Sequence, residues 1–404
     1  MKSRSLIFFA VLLCSLISIS VFGDKIGDQG KTKAYVSGLN EFGFSMFDTI
    51  INSDGPKNTF ISPASISIAL SMALNGADGE TFTAMQETMH LQKLTLDQIN
   101  EETKNVITSL MKADKKVELM IANSLWLRKG QSFKKDFLDA NKKFYGAEVG
   151  TYDFGDPSTV TKINNWVKKS TKNKIEKIID KIDPLAIAFL INAIYFKGSW
   201  TSEFDEADTK EETFHMTKEL NKKHPLMYQE KEFRYYESEK LQAIRLPYGK
   251  EKFSMYVFLP SYDYPIEEFM KDVKIEKYRE WTNSMNKVKV RLKLPKFKLE
   301  YDKLLNSTLQ SLGMKVAFDE DAANFGKMCN IPPNVFIQKV LHKTYIEVNE
   351  EGTEAAAVTA IQMGIKSAPP RDVYEMFVTR PFFFTIQDDE TGLILFMGLI
   401  SDPE

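Results

Sequence analysis

The chain has 404 residues, 43% of them hydrophobic and 12% aromatic, enough apolar side chain to fill one large core. Its 53 basic and 55 acidic residues nearly cancel, so no global field draws it to nucleic acid, and any partner has to be read from a local site. No repeat period, low-complexity tract or Pro/Gly linker divides it.

Met1-Lys2-Ser3-Arg4 is basic, Leu6 to Leu13 is apolar, and the run continues through small residues to Val21-Phe22-Gly23. That order is the one found in secretory signal peptides, with cleavage expected after Gly23. The competing reading is an uncleaved membrane segment, but the serine-rich second half and small exit residues argue for removal. A secreted chain starting at Asp24 is therefore expected, and no later stretch is apolar enough to make the membrane a partner. Cys14 leaves with the leader, so Cys329 remains alone and no internal disulfide can form; a buried or half-buried thiol is expected.

Ser62-Pro63 opens a helix, with Ser62 as cap and Pro63 at the first helical position; Ile66, Ala69, Leu70 and Ala73 follow at helical spacing. Leu119 to Leu127 and Ala188 to Phe196 are too continuously apolar to be one-faced and read as central strands covered on both sides. Between them Lys168, Lys169, Lys172, Lys174, Lys177 and Lys181 surround Trp166, Ile175, Ile178 and Ile179, which reads as the solvated side of an amphipathic helix. A polyanion such as heparin is the other reading for these lysines or for Lys112, Lys115 and Lys116. Val288, Val290, Leu292 and Leu294 share one parity of a strand ahead of Pro295. Helical and strand segments are mixed without strict βαβ order, so the fold class expected is α+β.

The four histidines, His90, His215, His224 and His342, form no metal-ligand pair, and no nucleophile elbow, P-loop or dinucleotide fingerprint occurs. Neither a cofactor, a metal nor an enzyme activity is indicated. From Val340 to Asn349 a strand alternates, with His342, Thr344, Ile346 and Val348 on one face. Glu350-Glu351-Gly352 breaks it. In Thr353 to Met363 one parity gives Thr353, Ala355, Ala357, Thr359, Ile361 and Met363, all fit for burial, while the other gives Glu354, Ala356, Val358, Ala360 and Gln362. Small residues leading such a segment allow it to slide between two existing strands. Gly364 to Arg371, punctuated by Pro369 and Pro370, reads as an exposed extended loop, the backbone form a protease accepts. Within it Lys366 offers a cation to a pocket with an acidic floor.

Together these residues resemble the serpin family. Val348 to Ala357 is similar to the hinge of inhibitory serpins, and Phe382 to Ile386, Leu395 to Gly398 and Pro403 to its C-terminal signature. Asn58 to Ile66, Asn192 to Trp200 and Leu312 to Phe318 match further family segments, in order, from about residue 34 onward. Ala323-Asn324-Phe325-Gly326 departs from the family, which usually has Asp and Ser around that Phe. The resemblance implies one serpin domain, residues 24–404, with three β-sheets and about eight or nine helices. An exposed reactive-centre loop, about 350–373, would join the central sheet to the C-terminal strands.

It further implies a monomeric inhibitor of a trypsin-like serine protease, cut between Lys366 and Ser367. Ser367 to Pro370 looks like the segment after the cut in inhibitory members, and Ile365 and Arg371 are the competing positions. Glu350, Gly352, Thr353, Glu354, Ala355, Ala356 and Ala357 would form the hinge. Ser62, Ser65, Asn192 and His342 match the polar cluster beneath the centre of the sheet, and Trp200 the tryptophan at its top. Asn306-Ser307-Thr308 is the one sequon, making Asn306 a glycosylation candidate if exposed. A non-inhibitory carrier, storage protein or chaperone of the same fold is the alternative, and the absence of Pro or bulky residues at Thr353 and Ala355 to Val358 argues against it.

Overall fold

The computed structural model describes residues 11–183, 186–330, 334–353 and 373–404, with side chains from residue 30 onward. In chain order the helices are α1 (Val11–Asp54), α2 (Pro63–Leu74), α3 (Gly79–Thr88), α4 (Leu96–Leu110), α5 (Lys135–Tyr145), α6 (Ser158–Ser170), α7 (Ile266–Asp272), α8 (Ile275–Asn283) and α9 (Asn306–Leu309). The strands of the first half are β1 (Thr59–Ile61), β2 (Val117–Arg128), β3 (Glu148–Tyr152), β4 (Ala188–Ser199), β5 (Lys210–His215), β6 (Asn221–Glu237), β7 (Leu241–Tyr248) and β8 (Phe253–Pro260). Those of the second half are β9 (Asn286–Pro295), β10 (Phe297–Leu304), β11 (Leu341–Val348), β12 (Gly352–Thr353), β13 (Tyr374–Phe377), β14 (Phe382–Asp388) and β15 (Ile394–Ile400).

Local chemistry accounts for the starts and stops. The Ser62 hydroxyl accepts the Ser65 N–H at 3.2 Å and caps α2, with Pro63 in the first turn, as the sequence predicts. Thr95 and Gln98 close a capping box on α4. Gly146, at φ 61°, ends α5 in the left-handed conformation that glycine adopts without strain.

A six-stranded sheet runs β10-β11-β12-β4-β2-β3. A second network runs β1-β15-β14-β8-β7-β6-β9-β13, with β5 on β6. The three expected sheets thus form two hydrogen-bonded networks, because the 17-residue β6 serves two of them: Leu226 to Tyr235 pairs with β9, and Arg234 to Glu237 with β7. Helix α2 packs between β4 and β15, and the main core fills the space between the sheets. The single-parity pattern of β9 holds, with Val290, Leu292 and Leu294 fully buried. β2 and β4 pair along their whole apolar runs.

One reading needs correction. Helix α6 ends at Ser170, so Lys172, Lys174, Lys177 and Lys181 do not lie on it. Lys172 and Asn173 take left-handed backbone angles, φ 51° and 67°, and turn the chain out of the helix. The following segment crosses the six-stranded sheet and buries Ile175 and Ile179 with Trp126, Ile163 and Ile191 in a second, smaller core. Cys329 is free and fully buried, and burial raises its thiol pKa.

Candidate functional site

The six-stranded sheet is parted. β12 enters between β11 and β4 through two residues only, with Gly352 opposite Ser199, Thr353 opposite Gly198, and Val348 opposite Thr353. Below that point no strand among the described residues joins β4 to β11. A narrow cleft lined by Ile194, Phe196, Tyr345, Glu347 and Thr353 occupies the gap, with Lys174 of the overlying segment. Both flanking strands therefore offer backbone donors and acceptors to an incoming strand.

The mouth of the gap gathers four of the residues singled out in the sequence, Glu350, Gly352, Thr353 and Trp200. Gly352 sits at φ 154°, where an added Cβ would lie 2.1 Å from the Gly198 carbonyl oxygen, so only glycine lets the chain approach β4 this closely. The buried Glu350 carboxylate is 2.8 Å from the Lys296 ammonium and accepts the Thr209 hydroxyl at 2.8 Å. Burial pushes its pKa up, but Lys296, the backbone and Thr209 outweigh this and hold it below the ordinary range. Trp200, 4% exposed, donates its indole N–H to the Asn349 carbonyl at 3.0 Å. Its backbone N–H goes to Glu351 O at 2.9 Å. Thr353, 2% exposed, meets the Tyr248 hydroxyl at 2.7 Å.

Ser62, Ser65, Asn192 and His342 also come together, lower in the sheet. The Ser62 N–H donates to His342 Nε2 at 3.0 Å and its hydroxyl to Leu395 O at 2.7 Å. The Ser65 hydroxyl donates to Asn192 Oδ1, and Asn192 Nδ2 to Asn123 Oδ1 at 2.7 Å. These short side chains cross from α2 to β4 and β2, a chain whose members can change partners if the strands separate. His342 accepts with Nε2, so its proton resides on Nδ1, and complete burial pushes its pKa down to about 3.

A pH dependence follows. Unfolded, His342 takes a proton near 6.5; folded, only near 3. Between those values the unfolded state binds more protons, so stability is full above pH 6.5 and falls as pH drops, by up to about 1.4 kcal/mol per pH unit. Urea midpoints at pH 7, 6, 5 and 4 should decline more steeply for the wild type than for His342→Asn; parallel declines would remove His342 as the cause.

Asn306 lies apart from both groups. It is half-buried, donating to Gln338 O at 2.7 Å and accepting the Val340 N–H at 2.9 Å. Glu354, Ala355, Ala356, Ala357, Lys366 and Ser367 fall outside the described residues. Sequence reasoning missed Lys296, Thr209, Asn123 and Tyr248, whose roles arise from contacts between distant segments. Among the described residues no group of His, Cys, Asp and Glu is arranged to hold a metal, and no helix is long and apolar enough to cross a membrane.

A family model described as "Serpin (serine protease inhibitor)" matches residues 37–403. The chain belongs to the serpin family. Human serpin B8 is 36% identical, over 90% of this chain and 97% of its own length. Human leukocyte elastase inhibitor is 34% identical, over 91% and 99%. Among solved structures the thermophilic serpin tengpin in its native state superposes with a TM-score of 0.83 at 34% identity, covering 91% of this chain and 94% of that one. Human thyroxine-binding globulin in its complex with thyroxine gives 0.84 at 27%, covering 92% and 99%. Native protease nexin-1 with heparin gives 0.82 at 29%, covering 92% and 100%. The α+β serpin fold expected from sequence is thereby established, with nine α-helices among the described residues.

Proposed function

We propose that this serpin is a secreted, monomeric inhibitor that traps a trypsin-like serine protease by cleavage between Lys366 and Ser367. The observation that carries the reading is the parted sheet with Thr353, the first residue of the segment that would insert, already seated between β11 and β4. The protease serine Oγ attacks the Lys366 carbonyl carbon, the bond to the Ser367 nitrogen breaks, and that nitrogen leaves with a proton from the protease histidine. The loop remains joined to the enzyme as an ester. Freed at one end, residues 353–366 enter the gap as a strand; at about 3.3 Å per residue these 14 residues carry the tethered enzyme on the order of 45 Å. Glu350, Gly352, Thr353, Glu354, Ala355, Ala356 and Ala357 act as the hinge, Trp200 borders the entry, and Ser62, Ser65, Asn192 and His342 exchange hydrogen bonds as the strands part.

Secretion rests on the leader Met1 to Gly23. Its removal spares every described core side chain of α1, the first of which is Tyr35. The same route would bring the Asn306 sequon to the glycosylation machinery, but its half-buried side chain, with Nδ2 on Gln338 O and Oδ1 on the Val340 N–H, argues against glycan attachment. For a polyanion partner the better surface is Lys112, Lys115 and Lys116, which are exposed. Lys168, Lys172, Lys174 and Lys177 are instead engaged with Glu176, Glu118, Glu347 and Asp180. The thyroxine complex of a neighbour keeps a carrier as the second reading, but the small hinge residues Ala355, Ala356 and Ala357 favour insertion.

The test is to mix the mature protein with trypsin and resolve the mixture by denaturing gel. The wild type should give a covalent band of summed mass, and Lys366→Ala should lose at least nine-tenths of it. Clean cleavage without a band would mean a substrate-like serpin and overturn the inhibitory reading.

A further inference from the structure

The seat that receives Thr353 has an unusual chemical demand. Tyr248 ends β7 with its ring fully buried, stacked on Trp200 at 4.5 Å between centroids and 11° between planes, and edge-on to Phe196 at 5.1 Å. Backbone bonds from Gly249 N to Ser199 O and from Thr201 N to Pro247 O, each 2.8 Å, fix the turn that follows, so the ring has nowhere to move. Its hydroxyl points away from solvent and bonds to Thr353 Oγ1 at 2.7 Å. A buried phenol left without a partner bears the full penalty of its desolvation, comparable to the contact itself. The pocket is therefore satisfied by a hydroxyl at position 353 and by nothing apolar of the same size.

This matters for register. Successive strand side chains face opposite ways, so the residue placed on Tyr248 decides the face taken by every residue after it. With Thr353 there, Ala355, Ala357, Thr359, Ile361 and Met363 share its face; a slip of one residue would bring Glu354 against Trp200 and Tyr248. Backbone hydrogen bonds alone do not distinguish the two registers, because any residue supplies the same N–H and C=O; what distinguishes them is Gly352, which alone fits against the Gly198 carbonyl, and the side chain that meets Tyr248. Resting on the loop-insertion reading above, we infer that Tyr248 is a positioning residue that latches Thr353 into the sheet before cleavage and, together with Gly352, sets the register in which the loop inserts.

The latch holds one hydrogen bond across the mouth of the gap, and a bond worth about 1.4 kcal/mol corresponds to tenfold in an equilibrium. Hydrogen exchange on the uncleaved protein reads it without any protease. In Tyr248→Phe and in Thr353→Val the peptide containing residues 349–353 should exchange about tenfold faster than in the wild type, while peptides of β8 and β14 stay unchanged. Thr353→Ser, which keeps the hydroxyl, should restore protection. The double variant should be no faster than the faster single, since each removes the same bond. With trypsin, the moles of serpin consumed per mole of enzyme trapped should rise about three- to tenfold in both singles and return to the wild-type value in Thr353→Ser.

Unchanged exchange at 349–353 in Tyr248→Phe, or effects of the two single variants that simply add, would overturn the latch. A wild type that forms no covalent band with trypsin would overturn the inhibitory reading instead, and the exchange data would still decide the latch.

Discussion

Replacing Glu350 by lysine is expected to destabilise the protein by about 3 kcal/mol, the range seen when one partner of a buried charge pair is removed. Glu350 is 4% exposed and holds Lys296 and the Thr209 hydroxyl together. Lysine at this position would set two ammonium groups against each other at the point where β11 turns toward the gap. Lys296 retains 38% side-chain exposure and can swing outward, which keeps the expected cost at the lower end for a charge reversal. Urea unfolding measures it. The informative control is the exchanged pair, Glu350→Lys with Lys296→Glu, which should recover at least half of the loss; no recovery would mean that the backbone of the turn, rather than the ion pair, carries the effect.

Thr353→Arg should have the largest effect on activity. Among the described residues β12 pairs through Gly352 and Thr353 alone, so a guanidinium at 353 can leave its seat for solvent, and the stability lost should match that of the Tyr248 bond, roughly 1–1.5 kcal/mol. After cleavage the same residue must lie buried against Tyr248 and Trp200 without an acidic partner, at a cost of several kcal/mol. Trapping is a race between strand insertion and hydrolysis of the ester, and each 1.4 kcal/mol added to the insertion barrier slows it tenfold. The variant is therefore expected to become a substrate, with at least ten molecules cleaved for each enzyme trapped. Trapping at the wild-type ratio would show that insertion does not pass through residue 353.

Much of this was legible in the residues themselves. The alternation in β11 put His342, Thr344, Ile346 and Val348 on one face, and all four are buried. The polar cluster of Ser62, Ser65, Asn192 and His342 was legible only through the family resemblance, and the structure brings the four together. The helical reading of residues 171–181 failed for a local reason. Ile175, Ile178 and Ile179 mimic helical spacing, yet the positive φ of Lys172 and Asn173 breaks the helix before them. Lys296 and Tyr248 were invisible for a different reason: each meets its partner, Glu350 or Thr353, through a contact between remote segments. Nothing in the flanking sequence marks either of them.

The central claim, that cleavage after Lys366 leaves the protease ester-bound to an inserting loop, is tested most directly by the intact mass of the denatured trypsin mixture. The account predicts one covalent species equal to trypsin plus the serpin fragment ending at Lys366, less one water, with the Ser367–Glu404 peptide present separately. Free trypsin alongside the two cleaved serpin fragments, with no joined species at any time point, would contradict it.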